Sequence, residues 1–243
     1  MAWQCSGRTN TELIDNLFKN GLITSSRVRD AMAKVDRAHY CPDPASAYED
    51  SPQGIGHAAT ISAPHMHAAA AESLLPLLRP GCRVLDVGSG SGYLTAVLGE
   101  LVGPAPGARG SSETARVVGL EHIQPLRDLG QRNMEKSEGG AAMLGEGRVR
   151  FVVGDGRKGW RRGEDDEKGW DAIHVGAAAA ALPQELVEQL RSPGRIFIPV
   201  EEADGSGQYL WIVDKDAAGV VTKRKTYGVR YVPLTDPPHP RHQ

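Results

Sequence analysis

Val84-Leu85-Asp86-Val87-Gly88-Ser89-Gly90-Ser91-Gly92 is the stretch around which the rest of the chain is organised. An apolar run carries a carboxylate near its end, and glycines follow at alternate positions. Tyr93-Leu94-Thr95-Ala96-Val97-Leu98 comes next, with helical spacing of its apolar residues. Strand, tight turn, helix is the opening unit of a nucleotide-binding α/β domain. Glycine is required where the chain reverses sharply and a ligand touches the backbone, because a Cβ would block both.

The details of the turn narrow the ligand. A dinucleotide fingerprint spaces its glycines G-x-G-x-x-G and offers a helix N-terminus to a pyrophosphate. Here Gly88, Gly90 and Gly92 stand as G-x-G-x-G, with Ser89 and Ser91 between them and Asp86 before them. A carboxylate at that place repels a pyrophosphate and suits a cation. S-adenosylmethionine, with its ammonium and sulfonium, is such a ligand, and the pattern resembles the first motif of the methyltransferases that use it.

Outward from this unit, apolar runs alternate with helical stretches. Strands are predicted at 82–87, 116–121, 149–153, 171–175 and 195–200, and helices at 93–101, 124–136 and 183–190. This alternation predicts a doubly wound α/β fold with a mostly parallel sheet and right-handed crossovers. Two further strands, 208–214 and 225–233, have no helix between them and are expected to pair antiparallel. Upstream, helices are predicted at 10–20, 26–35 and 64–78, the last with Pro64 in its first turn and Pro76 ending or kinking it. Residues 39–63 read as a long loop, and 103–114 and 161–169 as inserted surface loops. We expect a single domain over 1–243: helices and a substrate loop in 1–80, a cofactor-binding core in 81–200 and terminal strands in 201–243.

Ligands of open α/β sheets lie beyond the carboxyl ends of the strands. The second strand ends at Glu121, followed by His122, and the third at Gly154-Asp155-Gly156. A carboxylate at Glu121 suits a pair of ribose hydroxyls, since it accepts from both. Asp155 suits the exocyclic amine of adenine. His122 reads as a helix N-terminal residue rather than a catalyst. A second constellation is Ala59-Thr60-Ile61-Ser62-Ala63-Pro64-His65-Met66-His67. Here a loop enters a helix, and the N–H groups of a first turn bind anions. Ser62 either helps hold a substrate carboxylate there or caps the helix. His65 and His67 diverge on a helix and have no acidic or cysteine partner at ligand spacing, so no metal is expected. No G-x-S-x-G elbow marks a serine hydrolase.

Composition sets outer bounds. The 243 residues carry 28 basic and 30 acidic side chains, leaving no basic excess to attract nucleic acid or anionic membrane. Cys5, Cys41 and Cys82 are an odd set without C-x-x-C spacing, which argues for a reducing compartment and against zinc. Residues 1–10 lack the apolar core of a signal peptide, and no apolar run is long enough to span a bilayer. The expectation is a cytoplasmic monomer.

With these residues in view, the chain resembles the eukaryotic type of protein-L-isoaspartate (D-aspartate) O-methyltransferase. The likeness runs through Met1-Ala2-Trp3, Glu12-Leu13-Ile14, Asp36-Arg37-Ala38-His39-Tyr40 and Asp50-Ser51-Pro52-Gln53. It continues through residues 59–67, the glycine turn, Val153-Gly154-Asp155-Gly156-Arg157, Asp171-Ala172-Ile173-His174-Val175-Gly176-Ala177-Ala178 and Tyr231-Val232-Pro233-Leu234-Thr235-Asp236. The glycine turn is common to methyltransferases at large, while residues 60–67 are much more specific. The resemblance implies isoaspartyl residues in aged proteins and peptides as substrates, and Ser62 as the active-site residue. It also implies cofactor contacts at Ala59, Thr60, Ile61, Ser62, His67, Ser91, Glu121, His122, Asp155, Gly156 and Thr235. The family often has Asp where Glu121 stands.

The implied reaction is an in-line attack of a carboxylate on the sulfonium methyl, and holding the reactants in line can supply roughly 7–11 kcal/mol of the barrier. In an isoaspartyl residue the free acid is an α-type carboxyl with a reference pKa of about 3.3–3.7, so it is already ionised and no general base is needed. The methyl ester is activated toward succinimide closure, whose hydrolysis returns some normal aspartate. A nicotinamide dehydrogenase would need the pyrophosphate spacing that is missing here. A binding module, or a methyltransferase of a small-molecule carboxylate, would not need residues 60–67.

Overall fold

The computed structural model describes residues 5–104, 116–161 and 169–236. Helix α1 (Asn10–Lys19) begins at Thr9, whose hydroxyl accepts from the Glu12 N–H, and buries Leu13, Ile14 and Leu17 on one face. Gly21 then leaves the helix with a φ of +71°. Helix α2 (Ser26–Lys34) is capped by Ser25 and buries Val28 and Met32. Neither stripe can fold alone; both pack into the core on one side of the sheet.

The expected loop over 39–63 is largely something else. After short 3-10 turns at Arg37–His39 and Pro44–Ser46, strands β1 (Gln53–Gly56) and β2 (Ala59–Ile61) form an antiparallel hairpin. Its two turn residues, His57 and Ala58, both have positive φ, at 52° and 56°. Such turns ordinarily carry Asn-Gly or Asp-Gly, so this hairpin has no local signature.

Helix α3 (Pro64–Leu74) follows, and Pro76 sits in the 3-10 turn Leu75–Leu77 that ends it. The core then alternates: β3 (Arg83–Val87), α4 (Tyr93–Val102), β4 (Arg116–Glu121), α5 (Gln124–Met134), α6 (Glu138–Gly145), β5 (Val149–Val153), β6 (Trp170–Val175) and α7 (Gln184–Gln189). Helix α6 is not foreseen in the sequence, because its Glu-Gly-Gly-Ala-Ala run has no periodic stripe. Strand β7 (Leu190–Glu201) starts earlier than its predicted bounds, crossing Pro193-Gly194 through an irregular pairing with β6. Strands β8 (Gln208–Lys215) and β9 (Val221–Val229) pair antiparallel as expected. Strand β9 is nevertheless shifted: its start is the charged stretch Val221-Thr222-Lys223-Arg224, tolerable because it is an edge strand.

The seven-stranded sheet has the order β5-β4-β3-β6-β7-β8-β9, parallel from β5 to β7. Alternate residues along the strands feed two cores. Val84, Val117, Phe151 and Phe197 face α1–α5, while Leu85, Val118, Ile173 and Ile196 face α7. Central β3 is buried at every position, as a strand covered on both faces must be. Each fully buried Leu or Ile here stabilises the fold by about 1.5–3 kcal/mol relative to exposure. The chain leaves β3 toward β4 on one side and β6 lies on the other. The chain after β3 enters α4 on one face and the chain after β6 leads to α7 on the other, and that switch point is where an α/β sheet binds its ligand. Most of the predicted surface loops, 103–114 and 161–169, lie outside the described residues. Among the described residues no helix is long and apolar enough to cross a membrane.

Candidate active site

The glycine turn after β3 forms the floor. Gly88, Gly90 and Gly92 have φ of +76°, +50° and +84°, a region L-residues avoid. At Gly92, the N-cap of α4, a Cβ would also lie 2.9 Å from the Gly130 carbonyl oxygen and 3.0 Å from Phe151. Four of the turn's N–H groups are occupied. Gly88 and Ser89 donate to the Leu120 carbonyl, Gly92 donates to that of Ser89, and Gly90 donates to Glu121 Oε2 at 3.0 Å.

Glu121, buried at the end of β4, is braced on both oxygens: Oε1 accepts from the N–H groups of His122 and Ile123 at 2.8 and 3.1 Å. Oε1 is filled by these two donors, and Oε2, which accepts only from Gly90, keeps a lone pair for a group in the cavity that Glu121 lines. His122 lines the same cavity but lies ahead of α5, whose N-cap is Ile123, so it is a turn residue and not a helical one. Gly156 and Thr235 also line it, with Ala59, Thr60, Gly88 and Gly90.

Two acids depart from the sequence reading. Asp86, only 1 % exposed, does not stand free: Thr95 Oγ1 donates to its Oδ2 at 2.5 Å, and His174 Nδ1 to its Oδ1 at 2.7 Å. Their partners come from α4 and β6, too distant in the chain for local spacing to reveal. Asp155 does not present its carboxylate to the cavity that Gly156 lines. Arg157, two residues on, grips both its oxygens at 2.9–3.2 Å and holds its pKa below the usual carboxylate value. Arg157 also pairs with Asp236.

Three cavities adjoin. The first, about 320 Å³, has largely apolar walls from Val87, Leu120, Ile123, Leu126 and Leu234. The second, about 30 Å³, is small and polar, lined by Ile61, Ser62, His67, Asp86, Ser89, Ser91 and His174. The third is an outer groove of about 630 Å³ between α3 and the chain that follows β9. Thr60 and Gly176 line all three, and Ser62 lines the inner cavity and the groove. Sequence reasoning missed Gly176 and Ala177, although extending the strand-end rule to β6 finds them. It also took 225–233 for one strand. The chain instead leaves the sheet after Val229, and Leu234 N–H bonds the Ala178 carbonyl at 2.7 Å, so Val232–Thr235 roofs the first cavity.

Ser62 is not a cap. The N-cap of α3 is Ala63, and no side chain caps the helix. Nor is its first turn an open anion site: Pro64 has no N–H, the His65 N–H donates to Asp50 Oδ1, and those of Met66 and His67 donate to the Ala63 carbonyl. The Ser62 carbonyl accepts from Arg37 Nη2 at 2.8 Å. His67 is buried with Arg37 Nη1 3.4 Å from its Nδ1 and the Tyr93 ring centroid at 5.1 Å. Arginine only donates, so Nδ1 accepts and the proton sits on Nε2. Burial, then the charges of Arg37, His174 and His65, push the His67 pKa well below 6.5. His65 turns the other way, its Nδ1 2.8 Å from Asp50. Among the described residues no group of His, Cys, Asp and Glu is placed to hold a metal ion.

The sequence model of the family described as protein-L-isoaspartate(D-aspartate) O-methyltransferase matches residues 8–239. The chain belongs to this family. A protein-L-isoaspartate O-methyltransferase of Caenorhabditis elegans is 44% identical over 235 residues, covering 97% of this chain and 96% of that one. One from wheat, Triticum aestivum, is 44% identical over 93% of this chain and 91% of its own length. Among solved structures, a putative family member from Plasmodium falciparum, in complex with S-adenosyl-L-homocysteine, superimposes with a TM-score of 0.80. It is 32% identical, over 94% of this chain and 99% of that one. The family likeness therefore spans the N-terminal helices, the sheet and the roof of the cavity together.

Proposed function

We propose that this chain transfers the methyl group of S-adenosylmethionine to the free α-carboxylate of L-isoaspartyl residues, and to the free side-chain carboxylate of D-aspartyl residues, in damaged proteins and peptides, the step that starts their repair. The observation that carries this reading is the position of Ser62, shared by the inner polar cavity and the outer groove. Family membership and the likeness to a structure holding S-adenosylhomocysteine support the same reading.

The first two cavities fit the cofactor by size and chemistry. Apolar walls suit a purine, the remaining lone pair on Glu121 Oε2 suits a ribose hydroxyl, and the buried Asp86 carboxylate supplies negative charge beside the inner cavity. Ala59, Thr60, His122, Gly156 and Thr235 surround the nucleoside in this reading. Ile61, His67, Ser89 and Ser91 surround the amino-acid end. The Asp155 carboxylate braces its turn through Arg157 instead of touching adenine. S-adenosylmethionine supplies, when bound, a methyl on a cationic sulfur that an oxygen nucleophile can displace.

The protein's own work is to strip water from a carboxylate and aim it. Ser62 offers its hydroxyl as donor to one carboxylate oxygen. The groove, with Leu22, Met66 and Tyr231 on its walls, is long enough for a polypeptide on either side of the reacting residue. Neutral His67 takes no proton, and the ionised acceptor has none to give. Three free cysteines fit action in the cytoplasm, and we propose that a single chain suffices, since one chain supplies every wall of the site. Mass spectrometry tests the reading. An isoaspartyl peptide incubated with S-adenosylmethionine should gain a base-labile methyl ester, lose methanol to a succinimide and return partly as the aspartyl peptide. A methyl group stable to base would contradict it.

A further inference from the structure

Arg37 stands in the 3-10 turn Arg37–His39 with its side chain wholly buried. Buried guanidinium groups ordinarily face a carboxylate, because removing an unpaired charge from water is strongly unfavourable. Among the described residues, this one has no such partner. Nη2 donates to the Ser62 carbonyl at 2.8 Å, Nη1 lies 3.4 Å from His67 Nδ1, and the guanidinium carbon lies 5.3 Å from the Tyr93 ring centroid. Its Nε has no hydrogen-bond partner at all. The neighbouring acids do not bond it: Asp36 Oδ1 accepts from Tyr48 and the Ala38 N–H, Asp50 Oδ1 takes His65, and Asp50 Oδ2, buried without a hydrogen-bond partner, acts on Arg37 only through space. Ser62, His67 and Tyr93, the groups Arg37 does touch, all line the inner cavity.

The peptide between Ser62 and Ala63 links this cation to the groove. Its carbonyl points at Arg37. In a trans peptide the N–H points the opposite way, so the Ala63 N–H is directed away from Arg37. That N–H donates to no group among the described residues, and Ala63 lines the outer groove. A carbonyl bonded to a cation polarises its own peptide and strengthens the donor at the other end. The first-turn N–H groups of α3 are already used, so this donor and the Ser62 hydroxyl are what remains for an anion.

We propose that Arg37 is the positioning residue for the methyl acceptor, its charge, bonded to no carboxylate, acting through the Ser62–Ala63 peptide on the substrate carboxylate. The proposal rests on the placement of that carboxylate at Ser62.

The test compares Arg37→Gln and Arg37→Lys with the wild type. KM and kcat are measured for an isoaspartyl peptide, inhibition for the same peptide bearing an α-carboxamide, and S-adenosylmethionine affinity by calorimetry. Arg37→Gln should raise KM for the carboxylate peptide by about tenfold or more, the effect of losing a charged donor's help. It should leave inhibition by the neutral carboxamide and cofactor affinity nearly unchanged, and Arg37→Lys should recover most of the loss. An active Arg37→Gln variant with unaltered KM, or with carboxylate and carboxamide weakened equally, overturns the proposal alone. If Arg37→Gln does not fold, Arg37→Lys decides: a retained preference for carboxylate over carboxamide supports the proposal, and a lost preference overturns it. A wild-type chain that methylates no isoaspartyl peptide overturns the reading beneath it as well.

Discussion

Ser62 has its carbonyl tied to Arg37 and its hydroxyl uncommitted among the described residues, so the two halves of this residue do different work. Ser62→Ala should therefore lower turnover more than cofactor affinity. Losing one hydrogen bond to a charged acceptor is worth about 1.5–3 kcal/mol, or roughly tenfold to a hundredfold in kcat/KM. Cofactor binding lost at normal turnover would reverse the assignment. Glu121→Ala should weaken S-adenosylmethionine binding by about 1–3 kcal/mol in calorimetry. Asp86→Ala should do likewise and also lower the melting temperature, because it strands His174 and Thr95 in the core. His67 sets two pH expectations. Being neutral, and with an acceptor that is already ionised, it leaves turnover at saturating isoaspartyl peptide flat between about pH 6 and 8. A tenfold rise across that window, abolished by His67→Ala or His65→Ala, would show that a base is required. Stability behaves differently. The folded pKa of His67 lies below the unfolded value of 6.5, so between the two the unfolded chain binds more protons. Stability from this residue is thus complete above that value and declines as pH falls below it. Urea titrations should show the decline, and a His67→Gln variant that folds should show less of it.

The elements that carry the site differ in how legible they are. Strand β4, strand β5 and the start of α4 fall where apolar runs and glycine spacing put them, because regular elements are written in local periodicity. The β1–β2 hairpin is not legible: its strands are short and its turn is His57-Ala58, without the usual turn residues. The capping role open to Ser62 fails for a similar reason, since the partner that fills the helix start, Asp50, is brought there by tertiary folding. Asp155 misleads because Arg157, adjacent in the sequence, is the better partner for its carboxylate. Glycines separate two kinds of constraint. Gly21→Ala meets open space and only the strain of a positive φ, about 1–2 kcal/mol. Gly92→Ala adds contacts of 2.9–3.0 Å with Gly130 and Phe151, so it should be the more destabilising of the two by denaturant titration and should also weaken cofactor binding. Equal losses would mean that the turn relaxes freely around α4.

Across the whole molecule, the two-sided core fixes β3 and β6 as neighbours, and their pairing to the last residue places Asp86 beside His174 and Gly88 beside Gly176. The N-terminal hairpin and the chain beyond β9 then close over these strand ends from opposite ends of the sequence. This arrangement explains why fold and cofactor class are readable from one glycine turn, whereas the acceptor site is assembled from residues 22 to 232 and yields only to a resemblance or a structure. It also separates the candidate chemistries. The G-x-G-x-G spacing and the Asp86 carboxylate disfavour a pyrophosphate, and a groove lying outside the cofactor-sized cavity favours a polypeptide over a small carboxylate. The central claim is that this groove presents a main-chain-type carboxylate to the inner cavity, which only an isoaspartyl linkage offers in mid-chain. The most direct measurement supplies labelled S-adenosylmethionine and two peptides identical except for Asp or isoaspartate at one position. Label on the isoaspartyl peptide alone is the predicted result, and equal labelling of both, or label on the aspartyl peptide alone, would contradict the account.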